Sequence, residues 1–277
     1  MSAPSAGGES SHYVARLWAL LRLSLAQLVR PPQDPRAGEA ARRLLRQAVL
    51  LLAIGAIIVV VLMVGFDAVE IGLMPPRRAP SVWPARFITD FGKAAVVLWS
   101  LAALLLAVTL IAPRLRGASR ARLLLLGTEL QYLFLAVLLP VLTGEVIKWI
   151  VGRGRPFVGG EANAFNFVHF AGTEAYASFP SAHAVTSAAL AFGVASLWPR
   201  ARFAMIVYAV VIAGSRLVLL AHHPSDVVGG AVLGLIGAMV VRHWFAARHL
   251  AFAVGSDGAP VALNRPALGV AEGAAAP

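Results

Sequence analysis

The sequence predicts an all-α, polytopic membrane protein: a bundle of six transmembrane helices preceded by an amphipathic helix at the membrane surface. Three observations carry this. Hydrophobic residues make up 59% of the 277 and charged residues only 13%, a balance far from that of soluble domains. Mean hydropathy is +0.77. The apolar residues gather in six runs, each of roughly 18 to 25 residues, about the length that covers a ~30 Å hydrocarbon layer at 1.5 Å per residue. A formal net charge of +11 would point to nucleic acid in a soluble chain. Here the arginines sit in short links between apolar runs, where cytoplasmic loops carry them. Cysteine is absent, which excludes disulfides, a thiol nucleophile and a Cys-ligated metal.

In chain order, residues 1–12 are small and polar and are expected to be unstructured. Over 13–29, Leu17, Leu21, Leu25 and Leu28 share a helical face while Arg16 and Arg22 interrupt the run. That pattern suits a helix lying on the membrane surface. Pro31 and Pro32 end it, and residues 1–46 form a cytoplasmic N-terminal segment. The membrane domain follows over 47–249, with spans at 47–66, 94–112, 123–147, 181–198, 203–221 and 224–241. A polar link with Asp67, Glu70, Arg86, Asp90 and Lys93 separates the first two spans, and Glu129 and Glu145 mark the ends of the third. Residues 250–277, rich in Ala, Gly and Pro, read as a disordered tail.

Charge sets the orientation. With six spans, the N-terminal segment, the 113–122 link, the 199–202 link and the chain after 241 lie on one side, and all four are basic. That side is cytoplasmic, as are both termini. The opposite side receives the ends of spans three and five and the starts of spans four and six, where the unusual polar residues of the chain collect.

Three segments meet there. Lys148 and Arg155 bracket a stretch leaving the third span, in which Gly152 and Gly154 let the backbone turn so that two cations converge on one anion. Pro180-Ser181-Ala182-His183 opens the fourth span, where a serine cap and free N–H groups make an anion site. Ser215-Arg216 and His222-His223-Pro224-Ser225-Asp226 close the fifth span and open the sixth. An arginine in an apolar run is costly without a partner. Asp226, in the first turn after Pro224, is placed to accept the imidazole N–H of His222 and leave its other nitrogen as a nucleophile. Together these are the parts of a phosphoryl-transfer site: cations and helix-end amides for the phosphate oxygens, one histidine to attack and another to protonate the leaving group. His223 reads as a neighbour of the site, and Arg153 as an exposed loop arginine.

In these segments the chain resembles the type 2 phosphatidic acid phosphatase superfamily of integral membrane lipid phosphatases, related to vanadium haloperoxidases and glucose-6-phosphatase. Its motifs stand as K-x6-R-P at Lys148–Pro156, P-S-A-H at Pro180–His183 and S-R-x5-H-x3-D at Ser215–Asp226. Ala182 replaces the family's usual glycine. The resemblance implies that His222 forms a phosphohistidine, Asp226 orients it and His183 is the general acid. Lys148, Arg155, Ser181, Arg216 and the Ala182 amide would bind phosphate, with no metal or cofactor. The implied substrate is a lipid phosphate or diphosphate on the outer, periplasmic face of a bacterial cytoplasmic membrane. A phosphotransferase would share every motif residue. A transporter is the non-enzymatic rival, disfavoured because the polar residues collect at one face rather than at the midplane.

Overall fold

The computed structural model describes residues 6–76, 79–156, 158–159 and 162–263, with side chains from Tyr13 onward. Nine α-helices run in order among the described residues: α1 (Ala6–Val29), α2 (Ala37–Gly65), α3 (Asp67–Leu73), α4 (Trp83–Thr89), α5 (Ala94–Ile111), α6 (Gly117–Val151), α7 (Ala182–Leu197), α8 (Arg202–Val218) and α9 (Pro224–Ala246). A short antiparallel hairpin follows, β1 (Phe252–Val254) and β2 (Pro260–Ala262). The protein is thus an all-α polytopic membrane protein.

Helices α2, α5, α6, α8 and α9 are long and apolar enough to cross a membrane, and α7 is a shorter apolar helix of 16 residues. The six expected spans correspond to these six helices. At 1.5 Å per residue α7 is only about 24 Å long, but it packs against α6, α8 and α9, with most of its side chains buried. Its surroundings are protein more than lipid, so bilayer thickness does not dictate its length. By contrast α2 leaves Val49, Leu50, Ile57 and Val61 exposed, the outward apolar surface that a lipid-facing helix carries.

Helix α9 is the axis of the bundle, touching α2, α6 and α7. Small residues make this possible, because in lipid helices associate by close packing rather than by a hydrophobic drive. A Cβ at Gly230 would lie 2.5 Å from the Ser181 carbonyl, and one at Gly234 would lie 2.3 Å from that of Val185. The α7 backbone therefore runs directly over the α9 glycines. This contact also ties the start of α7 to the start of α9.

Two expectations are corrected. The helix α1 begins at Ala6, so residues 6–12 continue it; residues 1–5 lie outside the described residues. The tail is structured over its first part. Phe252 and Val254 of β1 are buried, and Phe252 meets Tyr132 edge-on at 4.8 Å between ring centroids. Arg36 and Arg43 bond the hairpin turn at Gly255 and Asp257. Apolar residues at alternate positions 252 and 254 are the period-two signal that the Ala/Gly/Pro composition hides. Residues 264–277 lie outside the described residues.

Candidate active site

The α6 helix ends at Gly152, whose left-handed φ of +56° closes it with a bond from its N–H to the Lys148 carbonyl. A Cβ there would fall 1.8 Å from the Val168 carbonyl oxygen, so only glycine lets the next loop lie across the helix end. That loop folds back: Val168 N donates to Gly152 O, Gly154 N to Asn166 O, and Ser178 N to Arg153 O. The segments carrying Lys148–Arg155 and Ser178–His183 are thereby stitched together. Ser181 N donates to the Asp226 carbonyl at 3.0 Å, which joins them to α9.

His222 sits in the turn between α8 and α9 and is 3% exposed. Its Nδ1 lies 2.8 Å from the main-chain carbonyl oxygen of Ser178. A carbonyl only accepts, so Nδ1 carries the proton and Nε2 keeps its lone pair. Burial first, then the charges of Arg216, Arg155 and Lys148, holds this imidazole well below the usual histidine range, against the opposing bond to Ser178. The charges of all three expected cations thus act on this histidine.

The expected bond from His222 to Asp226 is absent: Asp226 Oδ2 is 3.9 Å from Nδ1. Asp226 is the third residue of α9, and its carboxylate bends back to accept the His223 N–H at 2.8 Å, as in a capping box. It also accepts the Ser178 hydroxyl at 2.6 Å and Arg153 Nη1 at 2.6 Å. Asp226 therefore holds Ser178, whose carbonyl holds His222. It acts at one remove.

Arg153, expected as an exposed loop arginine, is a further correction. It is 1% exposed and bridges two fully buried carboxylates, Asp226 and, through Nη2 at 2.8 Å, Asp67. Its Nε and Nη2 also bond the Ala164 carbonyl. Charge pairing of this completeness is what permits three ionic groups inside a protein. The G-R-G-R-P spacing gave no sign of which arginine turns inward, and Asp67 stands 86 residues away.

The remaining expected residues fall as follows. Lys148 is paired with Glu145 at 2.6 Å and Arg155 with Glu174 at 2.8 Å, both partners being exposed carboxylates. Arg216, 8% exposed, donates to Thr89 Oγ1 at 2.7 Å. Ser181 holds the N-cap position of α7 without a side-chain cap bond, preceded by a cis Phe179–Pro180 peptide, and Ala182 and His183 open the first turn. The Ser181 hydroxyl and His183 Nε2 are buried with no hydrogen-bond partner among the described residues. The first N–H groups of α7 likewise have no intrahelical acceptor. Gly92 of the link before α5 lies against the His183 ring, a Cβ there meeting Cδ2 at 3.3 Å. By contrast, the start of α9 is already occupied by protein carboxylates, so α7 offers the free helix end. No cluster of metal-ligating side chains occurs among the described residues.

The chain is thus a membrane-spanning helical bundle whose buried polar and ionic groups gather at the ends of α6 and α8 and the starts of α7 and α9. The comparisons with known proteins give the family. The PAP2 superfamily model matches residues 129–250, the stretch that holds every motif residue above. Lipid A 1-phosphatase of Rhizobium johnstonii is 32% identical over 228 residues, which cover 82% of this chain and 92% of that protein. Lipid A 1-phosphatase of Rhizobium etli is 34% identical over 144 residues, 52% of this chain and 62% of that protein. The chain belongs to the PAP2 superfamily and is a phosphatase, a phosphoric ester hydrolase. No solved structure matches it.

Proposed function

We propose that this protein removes a phosphate from a membrane lipid, through a phosphohistidine on His222 and without a metal, at the outer face of a bacterial cytoplasmic membrane. The observation that carries the reading is the Nδ1 contact to the Ser178 carbonyl. It leaves Nε2 of a neutral imidazole free to attack phosphorus amid three cations. As the Nε2–P bond forms, the P–O bond to the lipid breaks, and the lipid oxygen takes its proton from His183. Lys148, Arg155, Arg216, the Ser181 hydroxyl and the Ala182 amide hold the other phosphate oxygens, where charge builds up in the transition state. Water, giving a proton back to His183, then attacks the phosphohistidine. Inorganic phosphate leaves and His222 returns to its neutral form. Lys148 and Arg155 exchange exposed carboxylates for phosphate, at small cost, since exposed ion pairs are worth about 0–1 kcal/mol.

Lipid A carrying a 1-phosphate is the first substrate to offer, because the relative of that name is similar over nearly its whole length. The basic links at 113–122 and 199–202 support a cytoplasmic location for the end opposite the site. The test is phosphate release by purified protein in detergent with EDTA present. The panel is lipid A, undecaprenyl diphosphate, phosphatidate and phosphatidylglycerol phosphate. Release by wild type, lost in His222→Ala, is the expected result. Release that EDTA abolishes, or that survives His222→Ala, would overturn the reading.

A further inference from the structure

We propose that Asp67, in the link between the first two membrane helices, is a positioning residue for His222, acting through Arg153 and the first turn of α9. This rests on the reading of His222 as the nucleophile.

Asp67 is 0% exposed, 155 residues before His222 in the chain (222 − 67). A carboxylate so placed persists only if donors surround it. Arg153 Nη2 donates at 2.8 Å, Ser225 N at 3.1 Å, and the Ser225 hydroxyl completes the set. Each donor leads to the histidine. Ser225 N–H belongs to the first turn of α9, where no intrahelical acceptor exists, so Asp67 caps a helix from a distant part of the chain. The turn it fixes begins two residues after His222. On the other route, the guanidinium that Asp67 holds belongs to the residue whose own carbonyl accepts Ser178 N–H at 3.0 Å. Ser178 in turn accepts the His222 proton. Arg153 Nη1, also bonded to Ser225 Oγ at 2.6 Å and Asp226 Oδ1 at 2.6 Å, closes the two routes into one network.

In Asp67→Asn one carboxylate oxygen becomes an NH2 donor, so the side chain can accept either the Ser225 N–H or the Arg153 Nη2 but no longer both, and Arg153 keeps Asp226 as its only carboxylate. Either loss moves Ser178 and His222 relative to the cations that hold the phosphate. Of the groups proposed to bind substrate, Lys148, Arg155 and Arg216 bond Glu145, Glu174 and Thr89, and the start of α7 meets the α9 turn through the Ser181 N–H on the Asp226 carbonyl. The larger effect therefore belongs in the rate of histidine attack and the smaller in affinity. A misplacement of about 1 Å costs on the order of 100-fold in rate.

The experiment uses the full chain in detergent with whichever lipid of the panel wild type hydrolyses fastest. Asp67→Asn, Ser225→Ala and His222→Ala are compared for kcat, KM, thermal midpoint and the rate of phosphoenzyme formation in a single turnover. Asp67→Asn is expected to lower kcat and the phosphoenzyme rate together by about 10- to 100-fold, with KM within about twofold of wild type. Ser225→Ala, which keeps the Asp67–Arg153 pair, is expected to give a smaller loss of the same kind and decides the matter if Asp67→Asn does not fold. The proposal is overturned if His222→Ala is inactive while the folded variants form phosphoenzyme at the wild-type rate. It is also overturned if their loss lies in KM or only in the amount of folded protein. Activity in His222→Ala would instead remove the nucleophile on which the proposal rests.

Discussion

His222 directs Nδ1 at the main-chain oxygen of Ser178, 2.8 Å away, while Asp226, four residues along, keeps its carboxylate 3.9 Å off and bonded elsewhere. His222 is oriented by backbone, and Asp226 orients that backbone through Ser178. The Ser178 carbonyl fixes the Nδ1–H tautomer, while burial and then the charges of Arg216, Arg155 and Lys148, acting against that bond, hold the ring below the usual histidine range.

It follows that Asp226→Asn is milder than loss of a carboxylate bonded directly to a catalytic histidine, which costs about 10⁴-fold in kcat. The asparagine still accepts from His223 N and Ser178, and what is lost is the charge facing Arg153. The expected fall in kcat is on the order of 100-fold, measured by phosphate release at saturating lipid. A fall as large as that of the direct contact would mean that Asp226 swings onto His222 in the working enzyme.

Arg153→Gln leaves Asp67 and Asp226, both 0% exposed, without their shared cation. Breaking a buried ion pair from one side costs about 3–5 kcal/mol, against about 0.5 kcal/mol for an exposed loop arginine. Denaturation in mild detergent, followed by circular dichroism, separates the two values.

Glu70 is 1% exposed and both its carboxylate oxygens lack a hydrogen-bond partner among the described residues. Burial, then the charges of Asp67 and Asp226, pushes its carboxyl up from 4.5 to about 7. The folded state thus binds the Glu70 proton more tightly than the unfolded state. The stability it contributes is complete below about 4.5 and is lost as pH rises through about 7. Histidines 222 and 223, held below 6.5 foremost by burial, act in the opposite sense, and their stabilisation is lost as pH falls below 6.5. The histidine titration overlaps that of Glu70, so the Glu70 share is read as a difference between variants. The thermal midpoint of wild type relative to that of Glu70→Gln should fall as pH rises from about 4.5 through about 7. Parallel curves would contradict the assignment.

Gly230→Ala places a methyl group 2.5 Å from the Ser181 carbonyl and 3.0 Å from Ala184 Cβ. Backbone has little room to yield, so α7 must move off α9. Overpacking of this kind costs about 1–3 kcal/mol, and here it also displaces Ser181 and His183. Phosphate release should drop more than the thermal midpoint suggests. Gly65→Ala, with nothing within 4 Å of the added Cβ, serves as the control.

The apolar helices were legible because the runs are long, uncharged and separated by arginines, but α2 begins at Ala37 and α6 at Gly117, well before the expected starts at 47 and 123, because a helix continues into the basic residues that an apolar run excludes. The N-cap at Ser181 and the helix start at Pro224 were legible for local reasons, a cap residue and a proline before apolar runs. The partners of Arg153 were not. Inward and outward arginines look alike in a glycine-rich loop, and the deciding carboxylate, Asp67, opens α3, with α4, α5 and α6 between it and the loop. The route from Asp226 to His222 is open to the same kind of ambiguity. Spacing of four from His222 permits a side-chain contact, but the first turn of a helix gives the carboxylate a nearer donor in the His223 N–H. The hairpin after residue 250 was hidden by composition, since its few apolar residues are diluted by Ala, Gly and Pro.

The most direct measurement is to quench the enzyme during turnover of a ³²P-labelled lipid phosphate and map the label by mass spectrometry. The account predicts an acid-labile, base-stable phosphoryl group on His222, formed and discharged with EDTA present and missing in His222→Ala. Label on another residue, or steady turnover with no phosphoenzyme even in a rapid quench, would contradict it.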